Sequence, residues 1–284
     1  MKYATIVSTE TLADHLQDPD WCVIDSRFDL AHPGWGGAEY QKAHIPGAIF
    51  ADLDRDLASP ITPASGRHPL PLPDRWQSTV SQWGITPATQ VVAYDSAGGS
   101  LAAVRVWWLL RAYGHSRVAV LDGGYPKWLS EHRPLETVLP PARPIIPFSG
   151  QLNPRFWVSV EDLIHLYRDS KVRLIDARAG ERFRGEIEAI DPVAGHIPGA
   201  LNRPYTQNLN PDQTFKSPAQ LREDFGKLLG DIRPQNIIAY CGSGVTAGHN
   251  LLALEIAGLS GGKLYPGSWS EWIRDPERPI ETGA

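Results

Sequence analysis

The hydrophobic positions fall into short runs separated by longer stretches of mixed polarity. Thr5-Ile6-Val7 reads as a short extended piece, and residues 9–16, opening on Thr9, read as a capped helix. Trp21-Cys22-Val23-Ile24 and Val172-Arg173-Leu174-Ile175 are short apolar runs that suit buried strands. Val91-Val92-Ala93-Tyr94, Val118-Ala119-Val120-Leu121 and Ile237-Ile238-Ala239-Tyr240 predict further strands, while residues 101–113 and 246–257 predict helices. Strands alternating with helices imply an α/β fold, with parallel sheet covered by helices on both faces.

The pattern occurs twice. Val23-Ile24-Asp25-Ser26-Arg27 returns as Leu174-Ile175-Asp176-Ala177-Arg178, and Ala43-His44-Ile45-Pro46-Gly47-Ala48 as Gly195-His196-Ile197-Pro198-Gly199-Ala200. Val91-Val92-Ala93-Tyr94 matches Ile237-Ile238-Ala239-Tyr240, and Leu121-Asp122-Gly123-Gly124 with Trp128 answers Leu264-Tyr265-Pro266-Gly267 with Trp272. The matches keep their order, which marks a duplicated domain. A repeat of this length is a whole domain and not a solenoid unit. Proline thickens from Pro134 through Pro140, Pro141, Pro144, Pro147 and Pro154. Such a stretch cannot donate a regular hydrogen-bond ladder and reads as a stiff, extended connector. The expected organisation is a first domain over 1–140, a Pro-rich linker over 141–156 and a second domain over 157–284.

Composition narrows the function classes. Of 284 residues, 42% are hydrophobic and 21% charged, which excludes disordered, collagenous and coiled-coil readings. Lys+Arg 27 against Asp+Glu 32 leaves a net charge of −5, so no nucleic-acid partner is expected. Cys22 and Cys241 allow at most one bridge, and a reduced cytoplasmic protein is the reading that follows. The first residues carry no signal-like apolar core and no 18-residue apolar span occurs, so no membrane partner is expected either.

The two copies differ where chemistry belongs. Ligands of open α/β sheets bind at the carboxyl ends of the strands. There the second copy reads Cys241-Gly242-Ser243-Gly244-Val245-Thr246-Ala247 and the first reads Asp95-Ser96-Ala97-Gly98-Gly99-Ser100. A cysteine between a buried strand and a helix start faces converging N–H groups and the positive end of a helix, which together favour the thiolate. Cys22, inside a strand beside Trp21, reads instead as an inert core residue.

Three other chemistries fail on named residues. Gly242-Ser243-Gly244-Val245-Thr246-Ala247 fits the dinucleotide pattern, but Gly261, Gly262 and Lys263 lie where its acidic residue belongs. A cysteine phosphatase needs an arginine closing the loop, and Ala247 stands there. Of the nine histidines, no two lie closer than His32 and His44, so no metal site is predicted. No cofactor is expected.

With these residues in view, the sequence resembles the tandem rhodanese-domain sulfurtransferases over essentially its whole length. Residues 241–247 look like the active loop of the family's 3-mercaptopyruvate branch, whereas the thiosulfate branch carries Arg-Lys where this chain has Gly242-Ser243. The two His-Ile-Pro-Gly-Ala segments at His44 and His196 match a signature of each domain, and Pro266-Gly267-Ser268-Trp269 with Glu271-Trp272 resembles the C-terminal signature.

The resemblance implies two rhodanese-like domains, each a small parallel sheet with helices on both faces, the first catalytically silent because Asp95 holds the cysteine position. It implies an enzyme in which Cys241 takes sulfane sulfur as a persulfide and passes it to cyanide, a small thiol or a thioredoxin-like acceptor. Gly242, Ser243, Gly244, Val245 and Thr246 would cradle the anionic persulfide. Arg182, in Glu181-Arg182-Phe183-Arg184-Gly185, matches the arginine that binds the donor anion. His68 and Arg67, in Arg67-His68-Pro69-Leu70-Pro71, resemble a segment that reaches the substrate from the first domain. The mercaptopyruvate branch carries a second arginine just before its His-Ile-Pro-Gly motif, and this chain has Ala189-Ile190-Asp191-Pro192 there. The small, neutral Gly242-Ser243 pair favours 3-mercaptopyruvate over dianionic thiosulfate as the donor. The competing readings are a thiosulfate sulfurtransferase and a non-enzymatic sulfur-carrier module. Asp25, Arg27, Asp176, Arg178, His44 and His196 recur in both copies and are expected to hold the loops. A monomer is expected, since the two halves already supply an internal interface.

Overall fold

The computed structural model describes residues 2–283. They form two compact units. The first comprises the residues up to Ser59, Leu70–Asn153 and Asn210–Phe215; the second comprises Pro60–Pro69, Pro154–Leu209 and the residues from Lys216 onward. The segment 60–69, which follows the first copy's His-Ile-Pro-Gly motif, thus belongs to the second unit.

In the first unit the elements run β1 (Ile6–Val7), α1 (Thr9–Asp14), β2 (Trp21–Asp25), α2 (Trp35–Lys42), β3 (Ile49–Phe50), α3 (Pro73–Gln82), β4 (Gln90–Tyr94), α4 (Ala102–Ala112), β5 (Val118–Leu121) and α5 (Gly124–Ser130). The sheet order is β1-β5-β4-β2-β3 and all pairs are parallel. Neighbouring strand residues point to opposite faces, and every residue of β4 is buried, so both faces of the sheet are covered. Val23, Val92, Ala119, Leu121 and Trp128 make one continuous core. Helix α1 starts where the Ser8 hydroxyl accepts the Thr11 N–H, and it stops at Asp14, two residues short of the expected end, with His15 as its C-cap. The Pro-rich stretch is tied to this unit without regular pairing: Ile146 N–H donates to Ser81 O at 3.0 Å and Phe148 N–H to Ser81 Oγ at 2.9 Å.

The second unit repeats the plan in shorter form: α6 (Val160–Leu166), β6 (Arg173–Asp176), α7 (Gly180–Phe183), β7 (Leu201–Asn202), α8 (Pro218–Leu229), β8 (Ile237–Tyr240), α9 (Ala247–Ile256), β9 (Lys263–Leu264) and α10 (Ser268–Trp272). Its sheet order is β7-β6-β8-β9, again parallel throughout. The counterpart of β1 shrinks to one parallel bridge between Trp157 and Leu264. Capping boxes at Ser159/Asp162 and Ser217/Gln220 start α6 and α8. Leu174, Ile238, Tyr240, Trp269 and Trp272 form its core.

The duplication extends to individual hydrogen bonds. Arg27 Nη2 donates to Asp25 Oδ2 at 2.7 Å and to Ala43 O at 2.7 Å; Arg178 Nη2 donates to Asp176 Oδ2 at 2.7 Å and to Gly195 O at 2.6 Å. The hydroxyls of Tyr94 and Tyr240 accept the N–H of Ile45 and Ile197, both at 3.2 Å. Ring nitrogen Nδ1 of His44 lies 2.7 Å from Tyr40 O, and that of His196 lies 2.7 Å from Phe183 O. Burial opposes the charged form of Arg178, and the adjoining Asp176 carboxylate more than offsets this, so its pKa is raised. Buried charges persist only when paired in this way, and these pairs fix the loops at the strand ends. Among the described residues no helix is long and apolar enough to cross a membrane.

Candidate active site

Strand β8 is buried along its whole length and delivers Cys241 to the carboxyl edge of the sheet. The chain then turns tightly into α9, with Thr246 as its N-cap. Gly244 makes that turn possible: its φ is +76°, and a Cβ there would lie 2.1 Å from Pro266 O. The turn brings the Gly244 N–H back to Cys241 Sγ at 3.2 Å. The sulfur therefore accepts a backbone hydrogen bond at the positive end of a ten-residue helix. Residues 241–245 are buried and Thr246 is half-buried.

Two serines hold the loop from below. Cys241 N–H donates to Ser268 Oγ at 3.1 Å, and the Ser268 hydroxyl donates to Tyr265 O at 2.9 Å. Ser270 N–H donates to Gly242 O at 2.9 Å, while Ser270 Oγ accepts the Arg67 N–H at 2.9 Å. Ser268 has φ +55°, a left-handed conformation that costs a non-glycine residue about 1–3 kcal/mol. Strain kept at such a point marks a position where the side chain is needed. The equivalent bonds Tyr125 N–H to Asp95 O and Trp269 N–H to Cys241 O place Gly124, with φ +58°, opposite Ser268, which shifts the sequence match of Gly124 with Gly267 by one residue.

The charged groups converge on Gly242. Arg67 Nη1 pairs with Asp191 Oδ1, and Arg182 Nη2 lies 2.9 Å from Asp191 Oδ2. Arg182 also forks onto Glu188, with Nη2 to Oε1 at 2.8 Å and Nε to Oε2 at 3.0 Å. Burial would raise the Glu188 pKa, but the N–H groups of Asp191 and Ile190 and the Arg182 guanidinium outweigh it, and the net direction is down. A Cβ on Gly242 would sit 3.0 Å from Arg67 Nη2 and 3.7 Å from Arg182 Nη1. His68 Nδ1 lies 2.8 Å from Ser243 Oγ.

Cys241, its loop, Arg67, His68 and Arg182 thus occupy one place. The resemblance pointed to Arg67 and His68 as a segment reaching from the first domain; both fall within the second unit. Glu188 and Ser270 carry no signal in the sequence, whereas Ser268 lies inside the Pro266-Gly267-Ser268-Trp269 segment that matches the C-terminal signature.

The rhodanese-like domain family matches twice, at residues 8–131 and 159–275. The chain belongs to the rhodanese family. A Pseudomonas aeruginosa protein named as a probable 3-mercaptopyruvate sulfurtransferase is 45% identical over 285 residues, covering 100% of both chains. A Mycobacterium tuberculosis protein provisionally named thiosulfate sulfurtransferase SseB is 36% identical over 300 residues, covering 98% of this chain and 97% of its own. The crystal structure of SseA from Escherichia coli, a work on the rhodanese fold of 3-mercaptopyruvate sulfotransferases, superposes with a TM-score of 0.80 and 33% identity, over 95% of this chain and 100% of that one.

The loop that leaves the inner strand for its helix, β4 to α4 in the first rhodanese unit and β8 to α9 in the second, holds a sulfur only in the second. In the first, Asp95 is fully buried and its carboxylate accepts the N–H groups of Ala97, Gly99, Leu101 and Ala103 at 2.8–3.2 Å. Burial raises the Asp95 pKa, and those four donors offset part of the rise.

Proposed function

We propose that this rhodanese is a sulfurtransferase carrying sulfane sulfur from an anionic donor, through a persulfide on Cys241, to a thiophilic acceptor. The observation that carries the reading is the Gly244 N–H on Cys241 Sγ, at the start of α9. Donors aimed at a sulfur stabilise negative charge there before any substrate arrives.

The first half-reaction forms an S–S bond and breaks the donor's bond to sulfur. With 3-mercaptopyruvate, the Cys241 thiolate attacks the donor sulfur and the C–S electron pair leaves as the enolate of pyruvate, which takes up a proton. With thiosulfate, the leaving group is sulfite. In the second half-reaction cyanide or a thiol attacks the outer sulfur and the Cys241 thiolate departs, so two easier transfers replace one. The first unit, with Asp95 at the equivalent point, takes no part in these bonds.

The donor best suited to the site is 3-mercaptopyruvate. With Nδ1 protonated, His68 donates to Ser243, and the Ser243 hydroxyl can then donate to the donor's ketone oxygen as the enolate develops. Arg182 and Arg67 offer planar forks for the carboxylate. The names carried by the Pseudomonas aeruginosa and Escherichia coli relatives support this donor. Steady-state thiocyanate formation from cyanide, measured with each donor in turn, tests the reading. Turnover favouring 3-mercaptopyruvate is expected; a clear thiosulfate preference overturns the donor, and no turnover with either overturns the reaction.

A further inference from the structure

The donor's carboxylate would meet Arg67 and Arg182 beside Gly242, but a carboxylate is already there. Asp191 has a side chain only 2% exposed, with one oxygen on Arg67 and the other on Arg182. Its Oδ2 lies 3.7 Å from where a Gly242 Cβ would stand, next in the chain to the nucleophile. The second carboxylate, Glu188, forks onto Nε and Nη2 of Arg182, and the same Nη2 reaches Asp191. Arg67 and Arg182 are cancelled by Asp191 and Glu188, and Arg178, which also reaches Glu188 at 3.5 Å, is matched by Asp176, so the site faces a donor with little net positive charge. An arriving anion must displace Asp191 from at least one arginine or share that arginine with it. Sharing leaves donor and Asp191 within a few ångströms of each other, and like charges that close repel. The repulsion doubles for a dianion.

Resting on the sulfur-transfer reading above, we propose that Asp191 is a specificity-determining residue. It acts as an internal competitor for Arg67 and Arg182 that disfavours dianionic donors more than monocarboxylate ones. A singly charged donor can engage one fork while Asp191 keeps the other. A dianion needs both forks and finds Asp191 on each. The same contacts hold the two guanidinium groups in place beside Gly242, so the residue both orients the arginines and screens them.

Direct titration tests this without relying on turnover. Sulfate, as the dianion, and pyruvate, as the monocarboxylate, are titrated calorimetrically into the full-length protein and into Asp191→Asn and Asp191→Glu. The expected result is sulfate binding at least tenfold tighter to D191N, pyruvate binding changed by less than threefold, and D191E matching the natural protein. Unchanged or weaker sulfate binding in D191N, or an equal gain for both anions, overturns the proposal. Asp191→Ser is read in the same way should D191N fail to fold. Donor turnover by the natural protein is measured in parallel. Its absence would refute the reaction, whereas the titration alone decides the role of Asp191.

Discussion

Asp95 and Cys241 stand at the same point of the two copies. Each follows the last residue of a central strand, Tyr94 or Tyr240, and each lends its carbonyl to the helix beyond the following strand, α5 or α10: Asp95 O accepts the Tyr125 N–H at 2.9 Å, and Cys241 O accepts the Trp269 N–H at 3.0 Å. What differs is the group at the centre of the loop. Asp95 gathers four backbone N–H groups onto its own two oxygens, so that loop is closed on an internal anion. Cys241 draws the Gly244 N–H onto a polarisable sulfur.

Removing the internal anion costs stability. Asp95→Asn puts an NH2 group where two N–H donors now point at an oxygen, leaving buried donors unmet at about 1–3 kcal/mol each. The expected outcome in chemical denaturation is a loss of about 2–4 kcal/mol. A variant as stable as the natural protein contradicts the role assigned to the carboxylate.

Ser268 is expected to trade stability for position. Ser268→Gly relieves the left-handed backbone at φ +55° but removes the acceptor of the Cys241 N–H. Stability should hold or rise, while kcat/KM falls by about tenfold or more, a loss of ~1.4 kcal/mol of transition-state stabilisation. Ser268→Ala, which keeps the strain, should lose both. Full activity in S268G shows that the hydroxyl does not hold the loop.

These two residues also show how far the sequence reaches. The five apolar runs and the two helices 101–113 and 246–257 are legible because buried parallel strands are short and continuous, and because the duplication states four of the runs and both helices as pairs. Helices α2, α3, α5, α6 and α8 are harder to read, since they are short or mostly polar and their packing is set by the sheet. Cys241 and its loop are legible from the contrast with Asp95. The ion pairs of Asp191 and Glu188 with Arg182 are not, because residues 182–191 fold back through α7 and a loop with no periodic pattern. The placement of Arg67 and His68 in the second unit depends on a long-range contact, and pattern along the chain carries no such information.

Ser243 should separate the donors. Its hydroxyl can assist a ketone, and thiosulfate has none. Ser243→Ala is expected to lower kcat/KM for 3-mercaptopyruvate by about 10²-fold, the scale of a lost oxyanion donor, and to leave thiosulfate within about threefold. Equal losses with both donors show that Ser243 shapes the loop and does not touch a carbonyl.

Cys22 gives the protein a defined alkaline weakness. Burial pushes its thiol from the ordinary 9.0 up to about 11. Between those values the unfolded thiol ionises and the folded one does not, so the contribution is whole below pH 9 and is lost as pH rises through 11. The loss amounts to about 2–3 kcal/mol. Stability measured from pH 8 to 11 should fall less steeply in Cys22→Ala than in the natural protein. Parallel curves contradict the assignment.

The persulfide itself is the most direct test of the account. Intact mass spectrometry of the protein after incubation with 3-mercaptopyruvate, without acceptor, should show a single added sulfur atom. Cyanide should remove it, and Cys241→Ser should never gain it. An adduct that survives C241S, or a natural protein that gains no sulfur from either donor, contradicts the central claim that Cys241 carries the transferred atom.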